Sequence, residues 1–90
     1  MNEETQIYNL EEFDDKNVER ILEDVYYALE DRGYNPIKQL VGYLLSGDPG
    51  YISSHLEARR KISSIERSKI LEAILRKYLS DVKWNILDLI

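Results

Sequence analysis

The 90-residue sequence predicts an all-α protein: a compact bundle of four to five short helices behind a flexible acidic N-terminal tail, assembled as a homodimer. Three observations predict it. Apolar residues recur at three- and four-residue steps along most of the chain, which places them on single helical faces. Glycine and proline are confined to a few points between those stripes, where they read as helix stops and starts. The chain is also short enough that one protomer supplies only a modest core, so an oligomer interface is an expected supplement.

Residues 1–15 read as the tail and residues 16–90 as one helical domain. In the tail, acids mix with isolated apolar residues, and Thr5 near the free end is the only threonine in the chain. The first helix is expected from about Lys16 to Asp31, capped by Asp14 or Asp15, with Val18, Ile21, Leu22, Val25 and Leu29 on one face. Gly33 ends it, because glycine takes the left-handed conformation cheaply. Asn35-Pro36 starts the second helix, with asparagine as N-cap and proline at the first helical position. Its stripe of Ile37, Leu40, Val41, Leu44 and Leu45 is nearly all apolar, so it is expected to be the most buried helix, and Gly42 is expected to permit a close helix crossing.

Gly47-Asp48-Pro49-Gly50 is turn chemistry. Ser54 and Glu57 fit a capping box, which predicts a third helix from Ser54 to about Ile65. A fourth carries Ile70, Leu71, Ile74, Leu75, Tyr78 and Leu79; the spacing leaves open whether these are two helices or one bent rod. The terminal stretch with Trp84, Leu87 and Ile90 is too apolar to stay bare, and it is expected to pack on its own core or across a dimer interface. The interface candidates are Leu40, Val41, Leu44, Leu45, Trp84, Leu87 and Ile90.

Composition excludes several function classes. There is no cysteine and a single histidine, so neither a disulfide framework nor a thiolate or histidine zinc site is expected; no metal and no cofactor are assigned. No apolar run reaches the roughly 18 residues that span a bilayer, and the acidic N-terminus lacks the features of a signal peptide, so the expected location is cytoplasmic. Gly42 and Gly47 have the separation of a phosphate-binding loop, but Asp48-Pro49 stands where the lysine and hydroxyl residue would be required. His55 has Glu57 and Ser53 nearby in sequence, yet residues two apart on a helix do not face each other. No nucleophile–base pair emerges, and the chain is read as not an enzyme.

The net charge of −5 is unevenly spread. Positions 1–31 hold most of the acids against only Lys16 and Arg20, whereas positions 57–69 hold Arg59, Arg60, Lys61, Arg67 and Lys69 against Glu57 and Glu66. Such halves attract each other or separate partners. Arg60 and Arg67, seven residues apart, are candidates to share a helical face and, with Arg59, to bind a phosphate or an acidic partner. The alternative reading is a DNA-binding protein that uses the helix from Ser54 to Ile65; overall acidity argues against it, and no nucleic acid is expected as a partner.

The string from Gly33 to Ile52, GYNPIKQLVGYLLSGDPGYI, resembles the signature block of the IreB family, and the likeness continues through His55, Ala58-Arg59, Glu66-Arg67 and the helix ending at Tyr78-Leu79. It covers about residues 5–80. The resemblance implies a helical homodimer from Gram-positive bacteria, phosphorylated on threonine near its N-terminus by a membrane Ser/Thr kinase with cell-wall-sensing repeats. It further implies a matching phosphatase, a downstream protein target and a role in restraining cell-envelope stress and antibiotic tolerance. Thr5 falls where the modified threonine sits. A second threonine expected in some relatives is missing.

Overall fold

Two glycines in the left-handed region, Gly33 (φ 80°) and Gly47 (φ 76°), divide the first half of the chain into its helices. The computed structural model describes the backbone of residues 3–89 and the side chains of residues 14–80. Its elements are α1 (Glu3–Asp31), α2 (Pro36–Ser46), a 3-10 turn η1 (Pro49–Tyr51), a second 3-10 turn η2 (His55–Glu57), α3 (Ala58–Ser63) and α4 (Arg67–Leu89). No strand occurs among the described residues, and the all-helical architecture is as expected.

The start of the first helix is corrected. It begins at Glu3, not near Lys16, so the expected break between residues 15 and 16 falls inside a continuous helix of 29 residues. The sequence carries the reason: no glycine or proline interrupts residues 3–31. Ile7, Leu10, Val18, Ile21 and Val25 follow one helical spacing, and Glu3 and Glu4 place negative charge at the positive end of the helix dipole.

The stop is a paired hydrogen-bond motif. The Gly33 N–H donates to Glu30 O (2.9 Å) and the Tyr34 N–H to Leu29 O (3.0 Å), which satisfies carbonyls the helix would otherwise leave bare. At the start of α2 the Asn35 side chain accepts from the Lys38 N–H (3.1 Å), with Pro36 directly after it. Asp48 caps η1 in the same way, accepting from the Gly50 N–H at 2.8 Å.

The expected capping box at Ser54 is absent. Leu56 (φ 52°) and Glu57 (φ 62°) both take left-handed conformations, so no helix can run through them and α3 starts at Ala58. Ser53, one residue earlier than expected, supplies the side-chain acceptor, for the His55 N–H at 3.0 Å. Leu56 consequently points away from the core and is exposed. Ser64 closes α3, its hydroxyl donating to Lys61 O (2.6 Å), and α4 begins afresh at Arg67, so the third and fourth helices are separate.

The core is built on α1. Val18, Val25, Ala28 and Leu29 are buried with Tyr43, Ile52, Ala58, Ile62, Ile70 and Ala73, while Ile21 and Leu22 pack at its edge. Ile52, which follows a turn and lies in no helix, is fully enclosed. The expectation that α2 is the most buried helix fails. Tyr43 is its only buried residue, and Ile37, Val41 and Leu45 are exposed, Leu45 by 82%. The physical reason is that, among the described residues, α2 packs chiefly on α1 and η1, which leaves the face carrying Ile37, Val41 and Leu45 exposed.

Gly42 answers to a side chain, not to a helix crossing. A Cβ there would lie 2.5 Å from two ring carbons of Tyr51, whose ring lies flush on the α2 backbone. Gly42→Ala should therefore destabilise the protein to urea, because the ring must move or the helix shift. In a Tyr51→Ala background the same change should stabilise by about 1 kcal/mol, the ordinary helical preference for alanine. A double-mutant cycle without this change of sign would contradict the packing.

Candidate functional site

The acidic flank of α1 is spent on the basic half of the same chain. Asp24 pairs with Lys61 of α3 at 3.2 Å, Asp14 with Lys69 at 3.9 Å, and Glu19 with Lys77 at 3.8 Å, the last two on α4. Asp15 is held by both arms of the Arg76 guanidinium, at 2.7 and 2.9 Å. The charge asymmetry of the sequence is thus largely an internal clamp across helices.

The three arginines considered for phosphate binding do not form one patch. Arg59 turns inward, its Nε–H donating to the carbonyls of Ile52 (2.9 Å) and Pro49 (3.1 Å), and so fixes the loop carrying η1. Arg67 reaches back to Leu44 O (3.0 Å) at the end of α2, with its guanidinium against Gly47. Arg60 is exposed and pairs with Glu57 at 2.8 Å. Because α3 ends at Ser63 and α4 starts at Arg67, Arg60 and Arg67 lie on different helices and share no helical face. The expected DNA-reading helix from Ser54 to Ile65 is reduced to six residues, with Arg59 and Lys61 committed to contacts within the protein.

His55 is oriented after all, though by partners remote in sequence. Its Nε2 lies 2.9 Å from Asp31 Oδ2, and its Nδ1 lies 3.1 Å from Arg32 Nη2. Arginine can only donate, so Nδ1 accepts and Nε2–H donates to the carboxylate. The ring ties η2 to the end of α1. No hydroxyl or other nucleophile is placed on it, and no group of three or more metal-ligating side chains occurs among the described residues.

What the fold does present is an apolar groove. Leu22, Glu23 and Tyr26 of α1, Ile37, Leu40, Val41 and Leu44 of α2 and Ile74 of α4 line a depression of about 390 Å³. Beyond it, Leu71, Leu75, Tyr78 and Leu79 of α4 are exposed although the spacing had placed them on a core face. Of the α2 interface candidates, Leu40 and Leu44 line the groove half-buried and Val41 lines it exposed, while the strongly exposed Leu45 is not part of its lining. Trp84, Leu87 and Ile90 lie outside the residues whose side chains are described. Sequence reasoning missed Leu22, Tyr26 and Ile74 as groove residues, because a helical stripe looks the same whether it faces a core or a second molecule. On the groove wall, the Glu30 carboxylate accepts a hydrogen bond from the Tyr26 hydroxyl and holds that phenol above its ordinary pKa. Tyr27 meets the Tyr26 ring edge-on, with centroids 5.6 Å apart.

Comparison with known proteins then decides the family. The model of the IreB regulatory phosphoprotein family matches residues 3–80. The chain belongs to the IreB family. It is also 50% identical over 80 residues to a UPF0297 protein of Acetivibrio thermocellus, an overlap of 89% of each chain. The match spans α1, both 3-10 turns, the groove and the first part of α4. No helix among the described residues is long and apolar enough to cross a membrane.

The Asp15–Arg76 clamp has a pH signature. The hydrogen bonds from Arg76, reinforced by its charge, hold the Asp15 carboxyl below its ordinary value of 3.8. A depressed carboxylate contributes its stability above the unfolded-state pKa and loses it as pH falls through the folded one. Asp15→Asn should therefore cost on the order of 0.5 kcal/mol at pH 7, as partly exposed pairs do, and less in acid, once the carboxyl of the unsubstituted protein is protonated. Urea midpoints of the two proteins that stay equally far apart at pH 7 and in acid would contradict this.

Proposed function

We propose that this IreB-family chain is a non-enzymatic regulatory phosphoprotein that acts as a homodimer and is switched by phosphorylation of Thr5. The family match over residues 3–80 carries the reading, since that family is described by regulation through phosphorylation. Within it, Thr5 is the single threonine, and the segment around it corresponds to the modified one in the relatives that the signature block resembles. The enzyme is a membrane Ser/Thr kinase, opposed by its phosphatase, and the output is restraint of a cell-envelope stress and antibiotic-tolerance response through a downstream protein.

Position supports the choice of hydroxyl. Thr5 is the third residue of α1, within the terminal turn, and terminal turns open at little free-energy cost. Three of the serines are placed less favourably, since Ser46 donates to Gly42 O (2.7 Å) and Ser53 and Ser64 are engaged with backbone groups. Phosphopeptide mapping after treatment with the cognate kinase should place the label on Thr5. Thr5→Ala should abolish labelling while changing stability by less than about 0.5 kcal/mol. Undiminished labelling of that variant would sink the assignment.

The dimer reading is supported by the uncovered groove. Exposed Ile37, Val41 and Ile74 lie together on this groove, more apolar surface in one place than isolated surface residues make. Light scattering at tens of micromolar should give a dimer mass. Val41→Glu, at a half-exposed position, should shift the mass to a monomer while leaving the helical circular dichroism intact. A wild-type monomer mass would remove the dimer from this reading, and a dimeric Val41→Glu protein would move the interface elsewhere.

A further inference from the structure

We infer that His55 is a proton-operated catch for Arg32: the neutral ring holds both Asp31 and Arg32, and the protonated ring keeps Asp31 and lets Arg32 go. The ring joins η2 to the end of α1 through both of its nitrogens. Nε2 lies 2.9 Å from Asp31 Oδ2, and Nδ1 lies 3.1 Å from Arg32 Nη2.

The two arms respond to a proton with opposite signs. A guanidinium carries only donors and stays charged at every pH a folded protein meets. The Arg32 bond therefore exists only while Nδ1 keeps a free lone pair. Protonation places a hydrogen on Nδ1, aimed at a group that cannot accept it, and sets an imidazolium against a guanidinium. At Nε2 the N–H already donates to Asp31, and a charged donor on a carboxylate makes a stronger bond than a neutral one. One proton thus removes the first arm and tightens the second.

The surroundings leave this choice to the ring. Among the described elements, η2 packs against α1 and α3. The end of α1 supplies Asp31 and Arg32. On α3, Arg59 is turned to the carbonyls of Ile52 and Pro49, Lys61 pairs with Asp24, and Arg60 pairs with Glu57 of η2. Of these side chains, only an imidazole ordinarily changes charge between about pH 5 and 8. The His55 side chain is 20% exposed, open enough to trade protons with solvent without leaving its place. In acid the corner where α1 gives way to α2 gains the charge of the imidazolium together with an unengaged guanidinium. Both stand at the C-terminal end of α1, where the helix dipole favours positive charge.

NMR of the full chain, 15N-labelled, tests the catch. His55 is the only histidine, so its ring signals need no separation from others. Rotation of the Arg32 guanidinium about its Nε–Cζ bond should be slowed at pH 8 and faster at pH 5, changing with the titration of the ring. In His55→Gln, whose amide oxygen can accept from Arg32 at either pH, the rotation should be the same at both. In Asp31→Asn the ring should titrate at lower pH, because the charge that holds the imidazolium is gone. An Arg32 rotation indifferent to pH in the unsubstituted chain would overturn the inference, as would one that still changes in His55→Gln. A ring titration that does not fall in Asp31→Asn would overturn the retained arm.

Discussion

Val25, Ala28 and Leu29 sit at zero or near-zero exposure, and with Val18 they make α1 the helix against which the remaining elements find their places. α2 and η2 contact α1, α3 lies along it, and α4 crosses it near Asp15. Burial of the alanine lets neighbouring backbones approach closely, and Ile52 and Ile62 fill the space that remains. Without that apolar contact the ion pairs on either side would have little to align them, because exposed pairs contribute only tenths of a kcal/mol each. Their part is to select the register at which the basic helices meet the acidic one.

Much of this was readable from residue order. The face Val18, Ile21, Leu22, Val25 and Leu29, the stop at Gly33, the Asn35-Pro36 start and the turn at Asp48-Pro49 appear as the spacing predicts. These are local signals, each decided within a few residues. Three features were not legible, for different reasons. The N-terminal start of α1 was obscured by an acidic run that reads equally as a solvated segment. The left-handed pair at Leu56 and Glu57 replaced a good capping pattern, at the point where the chain turns to bury Ala58 and Ile62 with the core residues of α1. The exposure of α2 and α4 was hidden because periodicity tells that a face is apolar and not what covers it.

The candidate site shows the same division. Thr5 is singled out by composition, since it is one of a kind, whereas the basic residues could be judged only in three dimensions. Arg59 and Arg67 serve as donors to carbonyls that turns and helix ends leave unsatisfied, a use of arginine that looks identical in sequence to a binding cluster. His55 likewise gains a carboxylate and a guanidinium from the far side of the first turn, twenty-four and twenty-three positions away. Long-range partners of that kind leave no trace in local spacing.

The turn at Leu56 and Glu57 carries a consequence for how opening is distributed over the molecule. Two consecutive side-chain-bearing residues in the left-handed region each hold on the order of 1 kcal/mol of conformational energy, which only the surrounding contacts keep in place. Those contacts are mostly polar: the His55 ring between Asp31 and Arg32, the Ser53 hydroxyl, the Arg60–Glu57 pair, and bonds from the Glu57 and Arg59 amides to Ser54 O and Ser53 O. Release of this segment therefore returns energy instead of only consuming it. Conformational energy is thus held between η1 and α3, close in sequence to two fully enclosed side chains, Ile52 and Ile62.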